Sequence, residues 1–255
     1  MKINVRDLCF GYSAEPLFDH FSADFDGGDT GLPLVILGPS GSGKTTLLKL
    51  LGGLLKPQAG DIQFSDECLN GDAETGAPKT AFMFQEPRLL PWLTVLENVS
   101  LPLEKIFGKE EARRRAKHFL SLVFLEEKEE AYPKELSGGQ AQRVSMARAF
   151  AWPAPVLFMD EPFQSLDIPL RINLMDMTLS LLAKENISEE KHLLIAAIHE
   201  PREALYMGGR IIILGGAGQG IVFDRIVDPG SGKRIYGSGA MAELEREMIQ
   251  VLQPL

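Results

Sequence analysis

The sequence is poor in cysteine. Cys9 and Cys68 are its only two; they lie far apart, and neither has a neighbour at metal-ligand spacing, so both read as reduced thiols outside any disulfide framework or metal site. Long apolar runs are missing too: none reaches the roughly 18 residues that a membrane-spanning helix needs. The start, MKINVRD, has no apolar core of a secretory signal, and a cytoplasmic location is expected. Positive charge is in deficit, with 26 Lys and Arg against 35 Asp and Glu and a formal net charge of −9. That argues against a nucleic-acid partner, because neutralising phosphates takes clustered basic residues on one face. The one dense basic run, Arg113-Arg114-Arg115, follows Glu110 and Glu111. The i,i+4 pairs Glu110/Arg114 and Glu111/Arg115 therefore predict a solvated helix face. What is present is ordinary for a globular protein: 255 residues, 45% hydrophobic and 24% charged. That is enough for one large domain or a core with a subdomain.

The most informative stretch is GPSGSGKTT, residues Gly38, Pro39, Ser40, Gly41, Ser42, Gly43, Lys44, Thr45 and Thr46. It meets every fixed position of G-x-x-x-x-G-K-[ST]. In such a loop glycines let successive backbone N–H groups face phosphate oxygens, and the N-terminus of the following helix adds partial positive charge. Lys44 would reach the terminal phosphates and Thr45 would ligate Mg²⁺. A Gly-rich turn that ends by chance in Lys-Thr is the plainer alternative. Context argues against it: Leu34 to Leu37 is a short apolar run suited to a buried strand, and Leu47, Leu48, Leu51, Leu54 and Leu55 follow at helical spacing. A second candidate, Gly230-Ser231-Gly232-Lys233, fails because Arg234 follows the lysine and Val227 stands where the first glycine belongs.

Around this loop the chain alternates strand and helix patterns. Phe21, Ala23 and Phe25 share one face of an early strand, and Gly27-Gly28-Asp29 turns the chain. Pro57 and Gly60 stop the helix after the loop, Asp61 to Phe64 starts another strand, residues 67–79 form a polar loop, and Thr80 to Phe84 is a buried strand running into Gln85. From 86 to about 153 the pattern is helical, with stripes Ala112, Ala116, Phe119, Leu120, Val123 and then Val144, Ala147, Ala151. Strand patterns resume at 156–159, 193–198 and 210–214, with a helix carrying Leu170, Leu174, Met177 and Leu181 between the first two. Met241, Leu244, Met248 and Leu252 predict a last amphipathic helix. The order implies an α/β core with a mainly parallel sheet.

Two further stretches carry chemistry. Four apolar residues deliver Asp160-Glu161 to a strand end, where Asp160 can hold Mg²⁺ and Glu161 can polarise an attacking water. An acidic pair that merely ends a strand is the bland reading, and the phosphate loop in the same chain favours the catalytic one. In Leu136-Ser137-Gly138-Gly139-Gln140, Ser137 and Gln140 have capping-box spacing. Two glycines in the first helical turn cost stability, about 1 kcal/mol each in a helix interior. They suit a place where something approaches the backbone closely, such as a second anion at a helix N-terminus.

With LSGGQ between the phosphate loop and Asp160-Glu161, residues 3 to about 225 resemble the ATPase subunit of an ATP-binding cassette transporter. The resemblance implies a P-loop NTPase core (RecA-like) with a mainly parallel sheet, an N-terminal antiparallel β region and an inserted α-helical subdomain at about 86–153. Residues 1–225 would form the cassette and 226–255 a short tail with an amphipathic helix. By matching position, Gln85 resembles the glutamine that senses Mg²⁺ and γ-phosphate and couples to the membrane subunit. Ser165-Leu166-Asp167 resembles the loop after the acidic pair, with Gln164 where a small residue is expected, and His199 resembles the switch histidine that contacts γ-phosphate. Tyr12 resembles the aromatic residue that stacks on adenine, ordinary core being its alternative. Of the other histidines, His20, His118 and His192 match no motif.

The family implies a head-to-tail homodimer in which Ser137, Gly138, Gly139 and Gln140 of one copy close over ATP held by Lys44 of the other. It also implies a transmembrane permease and a substrate-binding protein as partners, with the ATPase peripheral on the cytoplasmic face of the cell membrane. Leu89, Leu90 and Trp92 are either a docking patch for that permease or core. The stretch FQEPRLLPWLTVLENV is most similar to the nitrate, sulfonate and taurine importer group. A soluble cassette ATPase in iron-sulfur cluster assembly or another non-transport role stays open as the alternative.

Overall fold

The computed structural model describes residues 2–13, 15–26, 32–64, 80–164, 166–183, 193–227, 236–237 and 239–253. The expected turn at 27–29, the polar loop at 67–79, Cys68, Ser165, His192 and the rejected motif at 230–233 lie outside them.

Two sheets organise the chain. β1 (Lys2–Phe10), β2 (Phe18–Asp26) and β4 (Ala59–Phe64) form a three-stranded antiparallel sheet with β1 in the middle. The second sheet has six strands in the order β5 (Thr80–Met83), β6 (Val156–Asp160), β7 (Leu193–Ala197), β3 (Leu34–Leu37), β8 (Gly209–Leu214) and β9 (Ile221–Val227). The first five run parallel, and β9 closes the edge antiparallel to β8. β9 crosses residue 225, the domain boundary expected from the sequence.

β3, β6 and β7 are buried along their whole length, as parallel strands covered on both faces must be. Their side chains divide by period two. Leu34, Ile36, Val156, Phe158, Leu193 and Ile195 face one core with Phe21, Phe25, Leu47 and Leu48. Val35, Leu37, Leu157, Met159, Leu194 and Ala196 face the other, with the helical residues Phe119, Val144 and Leu174. The first core joins the sheet to the small antiparallel sheet and to α1 (Lys44–Leu51).

α1 is shorter than its leucines predict. It ends at Gly52, whose N–H closes the helix on Leu48 at 2.8 Å, and Leu54, beyond it, is 51% exposed. Apolar spacing continues past the helix because the Gly52-Gly53 pair, with φ of 70° at Gly53, breaks it before Pro57 does.

The segment after β5 is helical: α2 (Val95–Phe107), α3 (Lys109–Leu122) and α4 (Gly138–Ala151). Both predicted stripes are buried. On α3 the charge pairing differs from expectation. Glu111 takes both Arg114, at 2.6 Å, and Arg115, at 2.9 Å. Arg114 thus turns to its i−3 neighbour and leaves Glu110 aside. α5 (Ile168–Ala183) and α6 (Pro201–Met207) follow β6 and β7, and α7 (Ala242–Leu252) packs on α6, β8 and β9 with Met248 fully buried. Among the described residues no helix is long and apolar enough to cross a membrane.

Candidate active site

Four neighbouring strands end side by side. Along the sheet, β5 hands off to Gln85, β6 ends in Asp160 and Glu161, β7 leads to His199, and β3 enters the loop 38–46. Parallel sheets bind ligands at such carboxyl edges.

The loop needs glycine where it enters α1. Gly43 has φ 95°, and a methyl there would stand 2.9 Å from the Phe18 ring. Lys44 is only 6% exposed and folds back, donating to the carbonyls of Gly38 at 2.8 Å and Pro39 at 3.1 Å. Burial pulls the Lys44 ammonium below its ordinary pKa, with the carboxylates of Glu161 and Asp160 opposing. The Thr45 hydroxyl donates to Asp160 Oδ1 at 3.0 Å. Burial pushes the Asp160 carboxyl up, and the Thr45 hydrogen bond counters it. Ser42 Oγ is buried with no hydrogen-bond partner among the described residues, an arrangement that costs about 1–3 kcal/mol unless a ligand satisfies it.

Glu161 is held from four sides. Its N–H donates to Ala197 O at 3.0 Å, and its carbonyl accepts from Gln142 Nε2 at 3.4 Å. Its carboxylate meets His199 Nε2 at 2.5 Å through Oε1 and Gln85 Nε2 at 2.9 Å through Oε2. Its φ is +50°, a conformation that costs a non-glycine residue about 1–3 kcal/mol and persists only where the surroundings enforce it. Gln85 Nε2 also reaches Gln164 Oε1 at 3.3 Å, so the larger residue at 164 has a partner. A cavity of about 230 Å³ opens beside Glu161 and His199.

Tyr12 sits on the loop: its hydroxyl is 3.3 Å from Thr46 Oγ1, its ring meets Phe10 edge-on at 5.1 Å, and it is 70% exposed. That exposure removes the core alternative. Trp92 is 69% exposed, whereas Leu89 packs against the core, so the apolar stretch after Gln85 divides between the two readings.

Ser137 to Gln140 stands apart from these groups. Ser137 Oγ accepts from Gln140 N at 3.3 Å and Gln140 Oε1 accepts from Ser137 N at 2.9 Å, the expected capping box. Among the described residues, neither bonds to the loop 38–46. A methyl on Gly138 would meet nothing within 4 Å, so packing inside the chain does not require that glycine.

Sequence reasoning missed the groups that brace the site. Gln142 ties α4 to the Glu161 turn, and Arg148 donates to the carbonyls of Pro87 at 2.8 Å and Arg88 at 3.1 Å just after Gln85. Arg171 on α5 pairs with Glu203 on α6 at 2.7 Å and donates to Leu166 O at 2.9 Å, joining the segments after Glu161 and His199. Polar residues inside otherwise apolar helical stripes were the available signal.

What the arrangement offers is a buried ammonium, a hydroxyl and carboxylate supplying hard oxygen donors, and a carboxylate bracketed by an amide and an imidazole. Comparison with known proteins agrees. Residues 29–164 match the family model described as ABC transporter. The aliphatic sulfonates import ATP-binding protein SsuB 1 of Mesorhizobium japonicum is 36% identical over 231 residues, covering 89% of this chain and 82% of that protein. The sulfate/thiosulfate import ATP-binding protein CysA of Bradyrhizobium diazoefficiens is 36% identical over 95% of this chain and 67% of its own length. The dimeric post-hydrolysis structure of the ATP-binding cassette MJ0796 bound to ADP and Pi superposes with a TM-score of 0.74 at 29% identity, covering 89% of this chain and 99% of that one. Motif order, strand-end geometry and these matches lead to one conclusion: the chain belongs to the ABC transporter family and is an ATP-hydrolysing cassette.

Proposed function

We propose that this ATPase powers import of a small anion, of the sulfonate, sulfate or nitrate kind, through a permease at the cytoplasmic face of the membrane, with a substrate-binding protein delivering the cargo. The observation that carries the reading is the similarity to importer ATPases over nearly the whole chain. It also disfavours a role in iron-sulfur cluster assembly. The working unit in this proposal is the cassette 1–225, with the insert 86–153 bearing the exposed Trp92 toward the permease, and 226–255 a tail whose helix α7 packs on α6, β8 and β9.

In this reading ATP lies on the loop 38–46 with Lys44 on its terminal phosphates and Tyr12 beside its base. The Ser42 hydroxyl, buried without a partner among the described residues, and the oxygen donors of Thr45 and Asp160 fit a magnesium nucleotide, since Mg²⁺ prefers hard oxygen ligands. Mg²⁺ bound by Thr45, Asp160 and Gln85 would neutralise phosphate charge. Glu161 accepts the proton of the attacking water, and His199 and Gln85 orient its carboxylate. Ser137, Gly138, Gly139 and Gln140 of a second copy complete the site across a head-to-tail dimer; the exposed helix start and the open space at Gly138, which packing inside one chain does not require, support this. ATP contacts made only in the closed dimer would favour that state, and hydrolysis would release it.

Co-purification from detergent-solubilised membranes tests the transport role. A polytopic permease retained with the chain is expected, and ATPase of normal turnover with no membrane partner would overturn it.

A further inference from the structure

The exposed face of the small sheet carries two bulges on opposite strands. β1 pairs Val5 with Ala23 and Leu8 with Phe21, which leaves one extra residue on β1 at Arg6-Asp7. The next interval pairs Leu8 with Phe21 and Phe10 with Phe18, leaving one extra on β2 at Asp19-His20, opposite Cys9. Both bulges contain a non-glycine residue at positive φ, Asp7 at 54° and His20 at 48°. A bulge re-aims side chains that regular pleating would send to opposite faces. Here Phe18 and Phe21 are both buried while Asp19 and His20, consecutive between them, are both exposed.

The result is a mixed donor set. Ligand atoms of Cys9, Asp19 and His20 all lie within 4.8 Å of one another. His20 Nδ1 is engaged by Asp7 Oδ1 at 2.7 Å, which leaves Nε2 free for a ligand, 3.9 Å from Asp19 Oδ1. A carboxylate on the far nitrogen is the partner that orients a metal-binding imidazole. Cys9 Sγ accepts the His20 N–H at 3.4 Å and donates to the Asp7 carbonyl at 3.8 Å, which fixes the sulfur beside the histidine. Asp7 is itself anchored, its N–H donating to Ser22 Oγ at 2.9 Å.

We infer that Cys9, Asp19 and His20 form a binding site for a borderline divalent cation of the zinc class, with Asp7 orienting the histidine and water completing the coordination. Sulfur and imidazole select such ions over Mg²⁺ or Ca²⁺, so the site is chemically separate from the all-oxygen donors around the phosphate loop. Tetrahedral zinc with bonds of about 2.0–2.3 Å needs donors roughly 3.5 Å apart. His20, Asp7 and Asp19 are 71%, 69% and 59% exposed, so the histidine and its orienting carboxylate can rotate together with Asp19 to close that gap. Bound metal would pin β1 to β2 three residues before Tyr12. Spacing along the chain conceals the set, because only the paired bulges bring residue 9 against residues 19 and 20.

The test uses the full chain, free of any histidine tag and of nucleotide, titrated with Zn²⁺ alone by calorimetry and with Co²⁺ alone by absorption. One equivalent per chain and a thiolate-to-cobalt charge-transfer band in the near ultraviolet are expected. Cys9→Ser should abolish the band, His20→Gln should weaken zinc binding at least tenfold, and Asp7→Asn should weaken it about 10- to 100-fold, as loss of an orienting partner does. Cys68→Ser should leave all of this intact. Circular dichroism checks that each variant is folded. No stoichiometric zinc binding, or a cobalt band that survives Cys9→Ser, would overturn the assignment.

Discussion

Replacing Gly138 with alanine separates what the chain needs to fold from what two copies need to hydrolyse ATP. Gly138 is the first residue of α4 after the Ser137 cap, and the added methyl meets nothing within 4 Å. Gly→Ala is worth about 1 kcal/mol in a helix interior and less in the first turn, so roughly 0.5 kcal/mol of added stability is expected. At about 2–4 °C per kcal/mol for a chain of this size, Tm should rise by about 1–2 °C. Nucleotide binding by the single chain should be unchanged, because Lys44, Thr45 and Ser42 are untouched. In the dimer proposed above, however, the methyl would stand where the other copy's ATP approaches the backbone. A misplacement of about 1 Å costs on the order of 10²-fold in rate, and turnover at saturating Mg-ATP should fall by about that factor. Phosphate release, thermal unfolding and nucleotide affinity measured on the same preparation decide the matter. Wild-type turnover would refute the shared site, and a lowered Tm would show that the glycine serves the chain's own fold.

Three other outcomes follow from the geometry. Glu161→Gln keeps the size of the side chain but removes the proton acceptor; ATP binding should persist, hydrolysis should drop by about 10²–10⁴-fold, and an ATP-dependent dimer should appear in size-exclusion chromatography. Burial lowers the Lys44 pKa below its ordinary 10.5; ATP affinity should therefore weaken as pH climbs through that lowered value, earlier than an exposed lysine allows. Because the unfolded chain holds the extra proton in that window, this group's contribution to the stability of the unliganded chain rises with pH there. Titrating nucleotide affinity against rising pH should show the decline in wild type and not in Lys44→Arg. Glu203→Gln breaks an ion pair whose side chains are 8% and 20% exposed; a loss of about 3 kcal/mol is expected, the low end for a buried pair because Arg171 keeps its bond to Leu166. Calorimetry should record a Tm lower by about 6–12 °C.

Local chemistry explains what could be read directly. The phosphate loop, the acidic pair at the end of an apolar strand and the capping box at Ser137 are contiguous, so covalent connection alone sets the spacing of their groups. The strands were legible because a sheet buried on both faces demands unbroken apolar runs, and α3 and α4 because one buried face imposes helical spacing. The leucines after α1 misled for the same reason in reverse: Leu54 keeps the period although Gly52 and Gly53 have already ended the helix. Glu111 took both arginines because both lie within its reach, which pairing by fixed spacing could not rank.

By itself, then, the sequence determined the nucleotide chemistry, the strand and helix order and the family, since each rests on residues that are neighbours along the chain or repeat with a fixed period. Only the tertiary structure decided how Gln85, Glu161 and His199 meet, that Gln142, Arg148 and Arg171 brace them, and that two bulges gather Cys9, Asp19 and His20. Those contacts join residues as many as 76 positions apart, and strand order, register and bulge position, which no local pattern encodes, set which of them touch.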